Sequence, residues 1–341
     1  MAGYRVAVVG ATGLVGRTIL KVLQERQLPV DDLVALASRR SAGTRLAFGG
    51  DEVEVRALEG FAFGGVDLAF FSAGATVSRE HAPPAARGAA LVVDNSSAFR
   101  MDPAVPLVVP EVNARLLAGY RGIVANPNCS TIQMAVTLQP LHQAFGLESV
   151  VVSTYQSVSG TGARGIRALE HELATGERDD ASPYPHPIAL NVLPHIDVLA
   201  ADGWSGEERK MIGETRKIMN LPSLQVVPTT VRVPVRVGHS EAVYARFRER
   251  VDVAGAREVL ERASGVVVVD QPEGALYPLA IHAEGQDEVF VGRIRQPDGD
   301  ERGLALWIVA DNLRKGAATN AVQIAECHIA AGREERRASY A

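Results

Sequence analysis

Arg5-Val-Ala-Val-Val-Gly-Ala-Thr-Gly-Leu-Val-Gly16 is a near-continuous apolar run that breaks into three spaced glycines and passes into helical spacing. A strand without polar alternation is one buried on both faces, as in a parallel sheet. Downstream, Val15, Ile19, Leu20 and Leu23 fall on one helical face. Strand, glycine turn and helix together place backbone N–H groups and the positive end of a helix dipole where a pyrophosphate is held. The spacing G-x-x-G-x-x-G therefore marks Gly10, Thr12, Gly13, Leu14, Val15 and Gly16 as a dinucleotide site, against the alternative of a plain βα turn. The expected fold is α/β, opening with a Rossmann-type parallel-sheet domain.

The second strand, Leu33 to Ala37, ends where an NAD enzyme carries an acid for the ribose hydroxyls, and this chain has Ser38-Arg39-Arg40-Ser41 instead. Two guanidinium groups and two hydroxyls suit a 2′-phosphate, which arginine grips with a bidentate fork. NADP is thus expected over NAD, the alternative being a solvated basic turn. Further strands are expected at Val66–Phe71, Ala90–Asp94 and Leu107–Val109. Ser72 and Gly74 lie at the carboxyl edge of one of them, the edge where open α/β sheets bind ligands. Arg100 follows another, as an anion clamp or a solvated side chain.

Asn126-Pro-Asn-Cys-Ser-Thr131 follows the short apolar run Gly122–Ala125 and opens a helix through Phe145 with Ile132, Ala135, Val136, Leu138 and Leu141 in register. Asn128 is the natural N-cap. A thiol in the first turn feels the helix dipole and unpaired N–H groups, which favour thiolate. Cys129 is a candidate nucleophile or, equally, a small buried hydrophobe.

Beyond it, Val150 to Tyr155 is a β-branched strand running into the polar, glycine-rich Gln156-Ser-Val-Ser-Gly160. Glu207 to Met219 is amphipathic, and its Glu207, Lys210, Glu214 and Lys217 are expected as surface pairs. The run Val231 to Val237 reads as a strand with Arg232, Pro234 and Arg236 on one face, so that Arg232 and His239 share a site only if Gly238 re-aims the imidazole. His239 titrates in the range that acid/base work on a thiol requires, or is structural. Val289–Arg295 and Leu304–Ala310 form a hairpin about Pro297-Asp-Gly299, which makes the second sheet mixed. A helix from Gly316 to Ala331 closes the chain and is expected on the first domain, with Cys327 in its core.

At 341 residues the chain suits two domains, and 47% hydrophobic against 22% charged residues describes a globular protein. A net charge of −5 offers nucleic acid no basic footprint, and the apolar runs are strand-sized, too short for a membrane span. The N-terminus enters the first strand directly, so no export signal is expected. Two cysteines exclude a disulfide framework and suit a reducing cytosol, hence a cytoplasmic protein. The histidines show no metal-ligand spacing, and no metal is expected.

These motifs, with Ser153-Thr-Tyr-Gln-Ser-Val-Ser-Gly160, Asn191-Val-Leu-Pro-His-Ile-Asp197 and Arg232-x-Pro-x-x-x-x-His239-Ser-Glu241, stand in the order of the aspartate-semialdehyde dehydrogenase family, which the whole chain resembles. The related acyl-phosphate reductases of arginine synthesis typically have glycine where this chain has Asn128. Thr230 departs from the family, which often has cysteine there. The resemblance implies a homodimer with a 1–128 NADP-binding domain, a 129–314 catalytic and dimerisation domain of mixed α+β sheet, and a 315–341 C-terminal helix returning to the first. It also implies NADP-dependent interconversion of L-aspartate 4-semialdehyde and L-4-aspartyl phosphate through a cysteine thioester, with inorganic phosphate as second substrate, on the diaminopimelate route and toward threonine and methionine. On that likeness Cys129 is the nucleophile, His239 the acid/base, and Gln156 orients the substrate beside Asn128. Arg232 holds its carboxylate, Glu207 its ammonium, and Arg100 with Lys210 the phosphate, while Ser159, Gly160 and Asn312 lie beside NADP.

Overall fold

The computed structural model of the protein describes residues 3–89 and 91–338, so Ala90, which opens an expected strand, and the last three residues lie outside the described residues. Two compact units emerge: Met1–Pro127 with Ala317–Ala341, and Asn128–Gly316.

The first unit carries β1 (Tyr4–Val9), β2 (Val30–Ala37), the small hairpin β3 (Arg45–Phe48) and β4 (Asp51–Glu54), then β5 (Arg56–Ala57), β6 (Leu68–Phe71), β7 (Leu91–Asp94) and β8 (Gly122–Ala125). Its helices are α1 (Leu14–Glu25), α2 (Ala75–Gly88), the short α3 (Pro110–Asn113) and the C-terminal helix Thr319–Ala338. The six-stranded sheet runs β5-β2-β1-β6-β7-β8, parallel throughout. Successive residues of β1 serve opposite cores: Val6 and Val8 pack with Ile19 and Leu23 of α1 and with Ala321, Val322 and Ala325 of the C-terminal helix, while Ala7 and Val9 pack with Ala82 and Ala85 of α2. That double burial is why β1 carries no polar alternation. Chain order reverses at β1, with β2 on one side and β6 on the other, which opens a crevice at the carboxyl ends of these strands. Leu107–Val109, expected as a strand, makes only an isolated parallel bridge from Leu107 to Ala125. Beyond that bridge Pro110 starts a helical turn, which ends the pairing.

The second unit holds α4 (Cys129–Phe145), β9 (Leu147–Gln156), α5 (Ala163–Thr175), α6 (Gly206–Met219), β10 (Gln225–Arg232), β11 (His239–Phe247), α7 (Val253–Glu261), β12 (Val266–Val268), α8 (Ala280–Ala283), β13 (Val289–Arg295) and β14 (Gly303–Ala310). The mixed sheet runs β10-β9-β11-β14-β13-β12; β9 is parallel to β10 and antiparallel to β11. Along β9, Val150, Val152, Thr154 and Gln156 turn inward, whereas Val151 and Tyr155 turn out. α4 is buried from Ser130 to Leu138, on all sides rather than along one stripe. The run Val231–Val237 is the end of a strand, not its middle: β10 stops at Arg232, and β11 starts at His239. Pro234 has no N–H for a ladder, and Gly238 at φ +92° makes the turn between them. No helix among the described residues is long and apolar enough to cross a membrane.

Candidate active site and dinucleotide crevice

In the first unit, β1 delivers the chain into a turn that only glycine permits. Gly10 has φ +84°, and a Cβ there would stand 2.8 Å from the Ser72 carbonyl oxygen. A Cβ on Gly16 would meet the Gly10 carbonyl oxygen at 2.1 Å, so α1 packs on the turn with backbone against backbone. Gly13 sits at the N-cap of α1 and brings no side chain to its first N–H groups, which leaves them for an anion. A cavity of about 480 Å³ opens here, lined by Gly10, Thr12, Gly13, Ser38 and Ser72. Leu58, Glu59, Val77 and His81 line it as well; no motif marked them, and loop and helix packing alone brings them in. Arg39–Ser41 forms a short turn directly after Ser38, with both arginines exposed. Leu14, Val15 and Gly16 belong to the first turn of α1, and Gly74 caps α2, beside the cavity rather than in its wall. An uncapped helix start, a closely packed glycine turn and a cavity beyond it fit a dinucleotide.

Arg100 also belongs to this unit. It is buried rather than solvated, with Nε donating to the Asn126 carbonyl at 2.9 Å and Nη2 to that of Asn95 at 2.9 Å.

In the second unit Asn128 caps α4, its Oδ1 accepting from the N–H groups of Ser130 (3.1 Å) and Thr131 (3.3 Å). These donors are therefore occupied, and the helix dipole remains as the favourable influence on a Cys129 thiolate. Cys129 is partly exposed between buried neighbours, and a Cβ on Gly316 would come within 2.9 Å of its own Cβ. Two carboxylates of α6 hold Asn128: Glu214 accepts its backbone N–H at 2.6 Å, and Glu207 accepts its side-chain Nδ2 at 2.8 Å. Neither is the surface group that charge spacing implied; both are buried, because this face of α6 packs on α4 and β10. Glu207 also accepts from Gln156 Nε2 at 3.2 Å and from Lys210 at 3.3 Å. Burial pulls the Lys210 ammonium down, but Glu207 and Asp197, the latter at 2.7 Å, outweigh it and hold Lys210 above its ordinary value.

Ser157 organises the other side. Its carbonyl accepts from Arg232 Nη1 at 2.6 Å, while its N–H and Oγ each lie 3.1 Å from His239 Nδ1. The ring is thereby fixed, and Nε2, buried without a partner among the described residues, is the atom left for chemistry. With the Ser157 N–H donating, the neutral ring carries its proton on Nε2; with Nδ1–H donating to Ser157 Oγ, Nε2 is free to take one. Burial, and secondarily the Arg232 charge, push His239 well below its usual range, so it is neutral at pH 7. Gly160 passes so close that a Cβ would stand 2.8 Å from Arg232 Nη1 and 3.3 Å from His239 Nε2. Asn312 Oδ1 receives the hydroxyls of Ser157 and Ser159 and the N–H of Gly238, tying the Gly238 turn to this loop. The structure thus gathers Asn128, Gln156, Glu207, Lys210, Arg232, His239, Ser159, Gly160 and Asn312 in one unit with Cys129. Sequence reasoning missed Ser157, although it lies inside the quoted loop, and Gly316 and Glu214, for which no local signal exists.

A family model described as the NAD binding domain of semialdehyde dehydrogenase matches residues 5–120, and one described as its dimerisation domain matches residues 138–315. The chain is 54% identical to the aspartate-semialdehyde dehydrogenase of Aquifex aeolicus, over 97% of this chain and 99% of the relative, and 52% identical to that of Legionella pneumophila, over 94% of each. The fold superposes with TM-score 0.93 on a crystal structure of aspartate semialdehyde dehydrogenase II from Vibrio cholerae complexed with ASA, at 46% identity over 96% of this chain and 99% of that one. The chain belongs to the aspartate-semialdehyde dehydrogenase family.

Proposed function

We propose that the chain catalyses the reversible phosphorylating oxidation of L-aspartate 4-semialdehyde to L-4-aspartyl phosphate, a step in making aspartate-derived amino acids. The observation that carries this is the grouping in one unit of a thiol at a capped helix start, a neutral imidazole whose Nε2 has no partner among the described residues, and a buried arginine and a buried carboxylate. Bound NADP supplies the acceptor for hydride. Cys129 adds as thiolate to the aldehyde carbon, and His239 Nε2 holds or takes the hydroxyl proton of the adduct. The resulting thioester on Cys129 is cleaved by phosphate, which Lys210 attracts. Arg232 pairs with the α-carboxylate through its fork, and Glu207 accepts the ammonium. A carboxylate offers about four acceptor sites, and Asn128, Gln156 and Lys210 occupy three of those on Glu207. The remaining site is room for one N–H of substrate, and Gln156, tied to the same carboxylate, sets the carbonyl's direction.

NADP rather than NAD is supported by Arg39 and Arg40 in the turn that follows β2, which carries no acid of its own. Homodimer formation is supported by the outward face of the second sheet, where Val151, Tyr155 and Val227 are 47%, 38% and 50% exposed on adjacent strands. The test is NADPH formation from L-aspartate 4-semialdehyde with and without inorganic phosphate. Turnover that depends on phosphate is expected, as is failure with the N-acetylated glutamate semialdehyde, whose amine carries no charge for Glu207. Turnover independent of phosphate removes the reading. Replacing Arg39 and Arg40 by alanine removes charged hydrogen bonds worth about 1.5–3 kcal/mol, so NADP affinity falls roughly 10–100-fold while NAD affinity stays.

A further inference from the structure

Glu241 closes the motif that begins at Arg232, yet no step of the reaction uses it. It stands two residues after His239 on β11, so both side chains leave the same face of the strand, the one packed against α4. By register, Thr154 of β9 and Ile308 of β14 flank it. Glu241 is wholly buried, and neither carboxyl oxygen has a hydrogen-bond partner among the described residues. The side chain of Gln133 lies against it. Gln133 is one turn after Cys129 on α4; its Nε2 is 3.4 Å from the His239 carbonyl oxygen, and its Oε1 is buried and unpartnered among the described residues. A polar layer, Gln133 with Glu241, therefore lies directly behind Cys129 and His239.

The proton inventory decides the state of this layer. A carboxylate brings only acceptors and leaves the Gln133 oxygen orphaned; a carboxylic acid brings one donor and one acceptor and matches a primary amide on both sides. Burial, opposed only by the nearby Gln133 side chain, pushes Glu241 well above the ordinary carboxyl range. His239 stands on the same strand and Cys129 one turn before Gln133 on α4, while β9 and β14 bring the uncharged Thr154 and Ile308 against Glu241 by register.

We propose that Glu241 is a neutral carboxylic acid paired with the Gln133 amide, and that this pair is a positioning element fixing the first turn of α4, hence Cys129, against the strand that carries His239. The inference rests on reading Cys129 and His239 as the reacting pair. Glu241→Gln keeps a neutral donor and acceptor, so kcat stays within about twofold of wild type and the acid limb of kcat/KM does not move. Glu241→Leu fills the site without pairing Gln133; kcat falls roughly 10–100-fold as the nucleophile is misplaced, with KM unchanged. The infrared spectrum at pH 7 shows a protonated-carboxyl stretch that is missing in Glu241→Gln, a readout that stands even if the leucine variant does not fold. A missing band, a shifted acid limb in Glu241→Gln, or wild-type kcat in Glu241→Leu each overturns the proposal. If the wild-type protein does not turn over the semialdehyde, the proposed reaction fails, while the band still reports on Glu241.

Discussion

The candidate sites of the two units are built from different materials. In the first, the residues from Gly10 to Gly16 are contiguous, and the turn they make is close-packed backbone that the absence of Cβ atoms permits. In the second, the working groups come from α4, β9, α6, β10 and β11 and are side chains pinned by one another: Glu207 to Asn128 and Gln156, Ser157 to Arg232 and His239. A site made of backbone is broken by adding atoms, whereas a site made of side chains is broken by removing them.

The sharpest removal is Cys129→Ser. The covalent intermediate needs a thiolate, and a serine hydroxyl at the same helix start stays protonated. Turnover falls to background while NADPH binding, followed by fluorescence titration, is unchanged. If binding is lost along with turnover, the two sites are not the separable constructions described above. His239→Ala comes next: loss of an acid/base costs about 10²–10⁴ in kcat, and an effect below tenfold would assign the proton transfer elsewhere.

Addition tests the first unit. The Cβ of Gly16→Ala would sit 2.1 Å from the Gly10 carbonyl oxygen, a backbone atom that cannot step aside, whereas that of Gly13→Ala would sit 3.3 Å from the same atom and needs only a slight give. Overpacking of this kind costs about 1–3 kcal/mol, so Gly16→Ala lowers the melting temperature and weakens NADP binding, and Gly13→Ala does neither to a comparable degree. Equal behaviour of the two variants would mean that close packing of α1 on the turn does not set the crevice.

The same contrast explains what the sequence discloses. β1, its glycine turn and α1 are legible because every determinant lies within one short stretch: unbroken apolar residues for a doubly buried strand, then glycines, then helical spacing. The cap at Asn128 is legible for the same reason. The burial of Glu207 and Glu214 is not, since their spacing suits a solvated helix face and only the packing of α6 on α4 and β10 takes that face out of water. Nor is the end of β10. Val-Arg-Val-Pro-Val-Arg-Val looks like a continuous strand, and the markers that divide it, Pro234 and Gly238, count only once β9 supplies the ladder that Pro234 cannot join. Ser157 lay in plain view inside a quoted loop, but its function is to hold two distant residues, which a local reading does not weigh.

The smallest expected effect concerns the coupling of Arg232 to His239. Burial is the first cause of the depressed His239 pKa, and the Arg232 charge is the second. In the free enzyme both act, so the acid limb of kcat/KM, which reports free-enzyme groups, lies below the ordinary imidazole value of about 6.5. When the substrate carboxylate pairs with Arg232, the second cause is largely cancelled and the first remains. The acid limb of kcat, which reports the complex, must then lie at higher pH than that of kcat/KM and still below the ordinary value. The sign is fixed: a neighbouring positive charge disfavours imidazolium, and neutralising it lets the ring bind a proton more readily. Measuring both profiles on one preparation is sufficient. Coincident limbs, or a kcat limb at lower pH, would mean that the substrate carboxylate does not sit on Arg232, and that the side-chain site is not electrostatically knit in the way its hydrogen bonds imply.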